Sequence, residues 1–341
     1  MVSVVIPARN EGRTLRRCLE ALLAQDYPAE QLEILVADGR STDDSRAIVQ
    51  DLAASHPHLT LLDNPNRTVP YALNIAIRAA RGSVIVRVDG HAVVAPNYVS
   101  QCVRALDASG AANVGGPMRS RGVGFWGRTI AAAMRSPFAG TAKFHYASEP
   151  QEVDTVYLGA FRREVLERVG LFDESLPRDQ DYELNHRIRE AWERIYYDPA
   201  ISVEYFGRES LSALLRQYWN YGAGKAVTLG LRPGALKPRH LASPLLVLGL
   251  GGGAGLALLR RPLPLLGLLA LYGGASAWFS SRAAREEPGQ RRAALALVFL
   301  CMHLSYGVGM LAEMLNGSGL RMLRGGKPTE PRGDAARESV R

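Results

Sequence analysis

Cysteine is scarce in this sequence: Cys18, Cys102 and Cys301 are the three in 341 residues, far apart and without a Cys-x-x-Cys pair. That scarcity excludes a disulfide framework and a cysteine zinc site, and it fits a reducing compartment. A basic leader followed by an apolar core is also missing. Met1-Val-Ser-Val-Val-Ile6 runs straight into a strand pattern, so no cleaved signal peptide is expected. A phosphate loop is lacking too, because Gly249-Leu-Gly-Gly-Gly-Ala-Gly255 is not followed by Lys-Ser/Thr. Small residues that let helices pack closely in lipid explain that stretch better. Basic residues outnumber acidic ones (41 against 33, net +8) but are dispersed rather than interleaved with aromatics. This speaks against nucleic acid and leaves phosphorylated ligands and anionic lipid as partners.

What is present in the first ninety residues is alternation. Val2–Ile6 reads as a buried strand stopped by Pro7, and Thr14 is placed to cap a helix with Leu15, Cys18, Leu19, Leu22 and Leu23 on one face. Leu32–Ala37 is a second strand ending on Asp38, followed by a helix through Ile48, Val49 and Leu52. Leu59–Leu62 is a third strand, and a helix from Pro70 to Ala80 leads to a fourth strand that ends in Asp89. Strand and helix patterns that alternate at short spacing predict an α/β fold built on a doubly wound, mostly parallel sheet. Beyond it, Tyr98–Leu106 reads as a helix and Ala112–Val114 as extended chain. Phe125-Trp126 to Met134 is an amphipathic helix with its aromatic pair at a membrane interface. Val153–Leu158 is expected as a strand, Asp179-Gln180-Asp181 opens a helix with Leu184 and Ile188, and Leu211–Trp219 forms the last amphipathic helix.

The composition changes near Leu241. Ser243–Leu259, Leu263–Phe279 and Ala293–Leu315 are apolar, with Arg260-Arg261 and the arginines between Arg282 and Arg292 separating them. Lengths near the roughly 20 residues that span a bilayer predict two or three membrane helices, the first two short enough for a hairpin. The expected division is a catalytic domain over 1–230, a membrane-associated region over 231–320 and a basic, disordered tail over 321–341. Arg232, Lys237 and Arg239 before the first span favour a cytoplasmic catalytic domain at the inner membrane. Three full spans would put Arg321, Arg324 and Lys327 on the opposite side, against the same rule, so charge alone leaves the span number open.

Several polar residues stand where strands end, the place at which open α/β sheets bind ligands. Asp38 ends the second strand, where a carboxylate meets a base or ribose, with a turn or helix-capping role equally open. Arg67 lies in a loop that can fold over phosphates, or is simply a solvated charge. Asp89-Gly90-His91 ends the run Val84-Ile-Val-Arg-Val88 with a carboxylate and an imidazole one residue apart. That pair suits Mg²⁺ or Mn²⁺ held against phosphate oxygens, assisting departure of a diphosphate. A displacement at a sugar carbon also needs a base for the incoming hydroxyl. Asp181, in the first turn of its helix and on the face of Leu184 and Ile188, is the candidate, with Asp179 better placed as the helix cap. His186 reads as a surface or packing histidine rather than a catalytic one.

Five blocks occur in order: Val4-Val-Ile-Pro-Ala-Arg-Asn-Glu11, Asp38-Gly-Arg-Ser-Thr-Asp43, Asp89-Gly-His91, Gly159-Ala-Phe-Arg162 and Asp179-Gln-Asp-Tyr-Glu-Leu184. In this order the chain resembles family 2 glycosyltransferases over residues 1–230, and within them the membrane-attached enzymes of succinoglycan-type exopolysaccharide assembly. The resemblance implies a GT-A fold, a UDP-sugar donor (a hexose, glucose first) and inversion at the anomeric carbon. It implies that Pro7, Ala8 and Glu11 line the nucleotide pocket, that Asp38 contacts uracil, that Asp89 and His91 hold the metal and that Asp181 is the base. Gly159 and Ala160 would admit the acceptor close to the backbone. Gln217-Tyr-Trp-Asn-Tyr221 stands where processive relatives carry Gln-x-x-Arg-Trp, placing Gln217 towards the acceptor; the missing Arg speaks against a polymer-extending synthase. The expected reaction moves one sugar to a polyprenyl-diphosphate-linked saccharide. Two alternatives differ in kind. A nucleotidyltransferase would need a glycine-rich loop at the first strand, and a transferase-fold membrane scaffold would not need Asp89 and Asp181.

Overall fold

The computed structural model describes residues 1–191, 193–287 and 289–316; the expected basic tail lies outside them. The first part of the chain runs β1 (Val2–Ala8), α1 (Leu15–Leu23), β2 (Leu32–Asp38), α2 (Ser45–Ala53), β3 (Leu59–Asp63), α3 (Val69–Ala79) and β4 (Val84–Arg87). Then come β5 (Val93–Val94), α4 (Tyr98–Ser109), β6 (Asn113–Gly115), β7 (Met118–Arg121), α5 (Gly124–Met134), β8 (Gln151–Glu152), β9 (Ala160–Arg162) and α6 (Arg163–Val169). The chain continues with α7 (Gln180–Glu190), β10 (Ile195–Tyr197), β11 (Val203–Phe206) and α8 (Leu211–Leu231). Last are α9 (Pro238–Leu258), α10 (Leu263–Glu286) and α11 (Arg292–Leu315).

Among the described residues an eight-stranded sheet has the order β3-β2-β1-β4-β9-β6-β10-β8, and a smaller sheet has the order β5-β11-β7. β1 to β4 are parallel, whereas β9 runs antiparallel to both β4 and β6, so the main sheet is mixed. Along β1 the side chains alternate: Val4 and Ile6 join a core with α1, α2 and α4, and Val5 joins one with α3, α6 and α7. With both faces covered, the strand is apolar throughout.

Three boundaries differ from the sequence pattern. Pro7 does not stop β1 but lies inside it, opposite Ala37 of β2. It shares parity with Val5, whose carbonyl accepts from Val88 N at 3.1 Å, and the β4 ladder ends at Val5. The missing N–H therefore faces the side where pairing has already ceased. Val153–Leu158 is not a strand; short strands flank it, and its apolar side chains are buried in the two cores of the sheet, Val153 and Val156 with α3, α6 and α7 and Leu158 with α1, α2 and α4. The last amphipathic helix runs on to Leu231 as α8, which packs on α11.

α9, α10 and α11 are 21, 24 and 24 residues long and apolar enough to cross a membrane, so the first two are not short. Of the most apolar window, 44% is buried in α11 against 17% and 11% in α9 and α10, which makes α11 the inner helix. It joins α5 and α8 in a third core with Ile130, Leu214, Tyr218, Val298, Phe299 and Met302. Glycines allow backbone-to-backbone contact there: a Cβ on Gly222 would sit 2.1 Å from Tyr306 O, and one on Gly309 2.3 Å from Trp219 O. At the head of α5, Phe125 is exposed while Trp126 packs against the third core.

Candidate active site

β4 and the turn after it place the first group of polar side chains. Arg87, the last residue of β4, is 7% exposed. Its Nε and Nη2 donate to the two carboxylate oxygens of Asp89 at 2.9 and 3.3 Å. Burial works against the guanidinium's charge, and the carboxylates of Asp89 and Asp181 outweigh it. His91 Nδ1 lies 3.1 Å from Glu11 Oε1. Because a carboxylate only accepts, Nδ1 carries the proton and Nε2 is left as the ring's other nitrogen. The Glu11 bond raises the imidazole's pKa above its ordinary 6.5, burial opposing and Asp89 assisting.

α7 supplies the second group. Asp179 precedes it in the left-handed region, φ +62°, and its side chain does not cap the helix. Instead its Oδ1 accepts from Lys225 Nζ of α8 at 2.8 Å, and that ammonium also lies 3.4 Å from the Tyr182 ring centre. The capping role expected for Asp179 is thus replaced by a buried ion pair, in which burial raises the carboxyl's pKa and Lys225 pulls it down. Asp181 Oδ1 accepts from the Tyr182 N–H at 2.8 Å, which orients the carboxylate at the start of the helix. His186 is buried beside Glu190, as packing would have it.

These groups meet in one cavity of about 610 Å³. Its wall includes Arg87, Asp89, His91, Asp181 and Gln217. It also includes Ser243 of α9 and Met302 and Tyr306 of α11, so it reaches the apolar helices. Gln217 Nε2 donates to the hydroxyls of Tyr221 at 2.8 Å and Tyr205 at 3.3 Å, fixing two aromatic rings of the wall.

Other expected residues lie elsewhere. Pro7, Ala8, Asp38 and Arg67 gather at the ends of β1, β2 and β3, outside this cavity's wall. Gly39 N donates to Ala8 O, and a Cβ on Gly39 would meet the Arg9 side chain at 3.2 Å and the Arg67 backbone at 3.3 Å. Asp38 is 1% exposed, and its carboxylate is already engaged by Ser41 Oγ at 2.5 Å and Arg46 Nη1 at 2.7 Å. Gly159 and Ala160 do not reach the cavity; Leu158 does. A Cβ on Gly159 would meet Phe161 and Asn113 at 2.8 and 2.9 Å, and Ala160 is buried within β9. The glycine thus serves packing and its φ of +95° rather than an open approach.

Arg87, Tyr157 and Tyr205 line the cavity and were not singled out as site residues from the sequence. The available signal was Arg87 itself, a charge in a run of β-branched residues. For the tyrosines there was none, since aromatics between strands are ordinary core.

A family model described as glycosyl transferase family 2 matches residues 3–170. The chain is a family 2 glycosyltransferase. The family match sets aside the nucleotidyltransferase alternative. The succinoglycan biosynthesis protein ExoA of Rhizobium meliloti (strain 1021) is 29% identical over 318 residues, 92% of this chain and 94% of that protein. A dolichyl N-acetyl-alpha-D-glucosaminyl phosphate 3-beta-D-2,3-diacetamido-2,3-dideoxy-beta-D-glucuronosyltransferase of Methanococcus voltae is 29% identical over 237 residues, 67% of this chain and 74% of its own. Among solved structures, the Pyrobaculum calidifontis mannosyltransferase PcManGT in complex with GDP-Man and Mn²⁺ superposes with TM-score 0.59 at 22% identity. That likeness covers 91% of this chain and 86% of the mannosyltransferase, and it identifies the GT-A fold of this glycosyltransferase.

Proposed function

We propose that this glycosyltransferase moves one hexose, glucose first, from a UDP-sugar to a lipid-linked saccharide with inversion at C1, in exopolysaccharide or envelope glycan synthesis. The observation that carries the reading is the single cavity in which Asp89, His91 and Asp181 share a wall with α9 and α11. Residues 1–230 act as the transferase unit, with the apolar helices holding it at the inner membrane on the cytoplasmic side. The relative named for a dolichyl phosphate acceptor supports the lipid-borne acceptor, and the succinoglycan biosynthesis relative supports the place in polysaccharide synthesis.

A divalent ion, Mg²⁺ or Mn²⁺, fits Asp89 and His91. Among the described residues no group of three or more His, Cys, Asp or Glu is gathered for an ion held by protein alone. Two protein ligands with phosphate oxygens and water are what a nucleotide-bound Mg²⁺ or Mn²⁺ takes. Glu11 orients the His91 ring in the way a carboxylate behind a metal-bound histidine does. When bound, the ion neutralises the diphosphate leaving group. Pro7, Ala8, Asp38 and Arg67 form the nucleotide side; with its carboxylate closed, Asp38 acts by shaping the loop of Gly39 and Ser41. Asp181 removes the proton from the acceptor hydroxyl as that oxygen attacks C1, held for the task by the Tyr182 N–H. Gln217 positions the acceptor through Tyr205 and Tyr221.

Asp181→Asn keeps the shape and removes the base. Transfer should fall at least about 1,000-fold, with UDP binding in Mn²⁺ unchanged by calorimetry on the detergent-solubilised chain. Loss of UDP binding together with transfer would reassign Asp181 to structure.

A further inference from the structure

Arg87 is more than the partner of Asp89. A guanidinium has five N–H donors; Nε and Nη2 serve Asp89, while Nη1 is buried and has no hydrogen-bond partner among the described residues. The Tyr157 hydroxyl is buried and unpartnered in the same way. Both residues belong to the wall of the cavity that holds Asp89 and Asp181. Nearly all buried donors in folded proteins are satisfied, so two unmet donors in one wall point to a ligand oxygen.

The chain brings the pair together with some strain. Arg87 N donates to Gly159 O at 3.0 Å, joining the end of β4 to the segment that carries Tyr157. Gly159 N then turns back to Tyr157 O at 2.8 Å across Leu158, whose φ of +61° is unusual for a bulky residue. The Tyr157 ring leans edge-on against Tyr205 with centres 6.2 Å apart, and Tyr205 against His91 at 6.1 Å.

We propose that Arg87 Nη1 and the Tyr157 hydroxyl hold a hydroxyl oxygen of the sugar being transferred. The subsite rests on the donor and base placements proposed above. A sugar on the β-phosphate lies next to Asp89 and His91, and its C1 must face Asp181, so the wall shared by these residues is where its ring sits. The oxygen is that of a neutral hydroxyl. Arg87 is already neutralised by Asp89, and Asp181 lies in electrostatic reach, so a carboxylate or phosphate there would meet a net negative charge.

The test compares binding of UDP and of UDP-glucose, each with Mn²⁺, to the full solubilised chain, its Tyr157→Phe variant and its Arg87→Lys variant. The wild type should prefer UDP-glucose. Tyr157→Phe should keep UDP affinity and bind UDP-glucose about tenfold more weakly. Its ligand-free melting temperature should stay level or rise, because only an unpartnered hydroxyl is lost. Arg87→Lys should shift the same preference further. A Tyr157→Phe variant that binds UDP-glucose like the wild type, or that melts lower without ligand, overturns the subsite alone. A wild-type chain that binds neither compound overturns the donor reading, and the subsite falls with it.

Discussion

Asp38 and Asp89 both stand at strand ends of the same sheet, yet their carboxylates meet different partners. Asp38 is closed in by Ser41 and Arg46, whereas Asp89 is held by Arg87 in the wall of a cavity. That difference gives them separate predictions. Asp89→Ala should remove most of the Mn²⁺ dependence of UDP binding, read by titrating metal against nucleotide affinity; undiminished dependence would place the ion elsewhere. Glu33, far from the cavity, is a stability residue of the same chemical type. Burial alone would raise its pKa, but Ser3 and Arg81 donate to the carboxylate and hold it below the ordinary 4.5. A depressed carboxylate stabilises the fold above the unfolded-state pKa and ceases to do so as pH falls through the folded value. Glu33→Gln should therefore cost about 2 kcal/mol at pH 7. The gap in melting temperature to the wild type should close as pH drops below about 4.5.

At the scale of elements, the first four strands and three helices were legible because a parallel sheet covered on both faces demands long apolar strands and one-sided helices. Asp89, His91 and Asp181 were legible for a related reason, since strand and helix ends expose polar residues in identifiable places. Val153–Leu158 misled because its apolar residues are buried by neighbours distant in sequence, not by a ladder. Pro7 misled because a strand's proline matters only on the side that is paired, and pairing is invisible in a linear pattern. The contact of α8 with α11 was equally hidden, because it joins a core shared by Leu214, Tyr218, Val298 and Phe299 to backbone approaches at Gly222 and Gly309 that no linear pattern names. Gly222→Ala would press a methyl into the Tyr306 carbonyl, 2.1 Å away, and should destabilise the chain by about 1–3 kcal/mol. A lowered melting temperature of the solubilised protein checks this.

For the molecule as a whole, α8 and α11 join the sheet-bearing part of the chain and the apolar helices into one packed body rather than a domain on a tether. Ser305 Oγ of α11 donates to Leu215 O at 2.6 Å, and Tyr218 and Leu214 are buried in the core shared with Val298 and Phe299. A chain ended at Lys237 loses α9 to α11 and uncovers that apolar face of α8. It should aggregate in size-exclusion chromatography, while the full chain in detergent runs as a discrete species. A monodisperse truncated chain would mean that α8 does not need its cover.

The sequence by itself determined the α/β order, the family resemblance, the three apolar segments and the polar residues at strand and helix ends, because each is written in local period or residue type. Tertiary structure alone decided which of those polar residues face one cavity and which are closed into loops. It also decided that Arg87 and Tyr157 leave donors unmet there among the described residues, since burial and hydrogen-bond pairing arise only when segments remote in the chain come into contact.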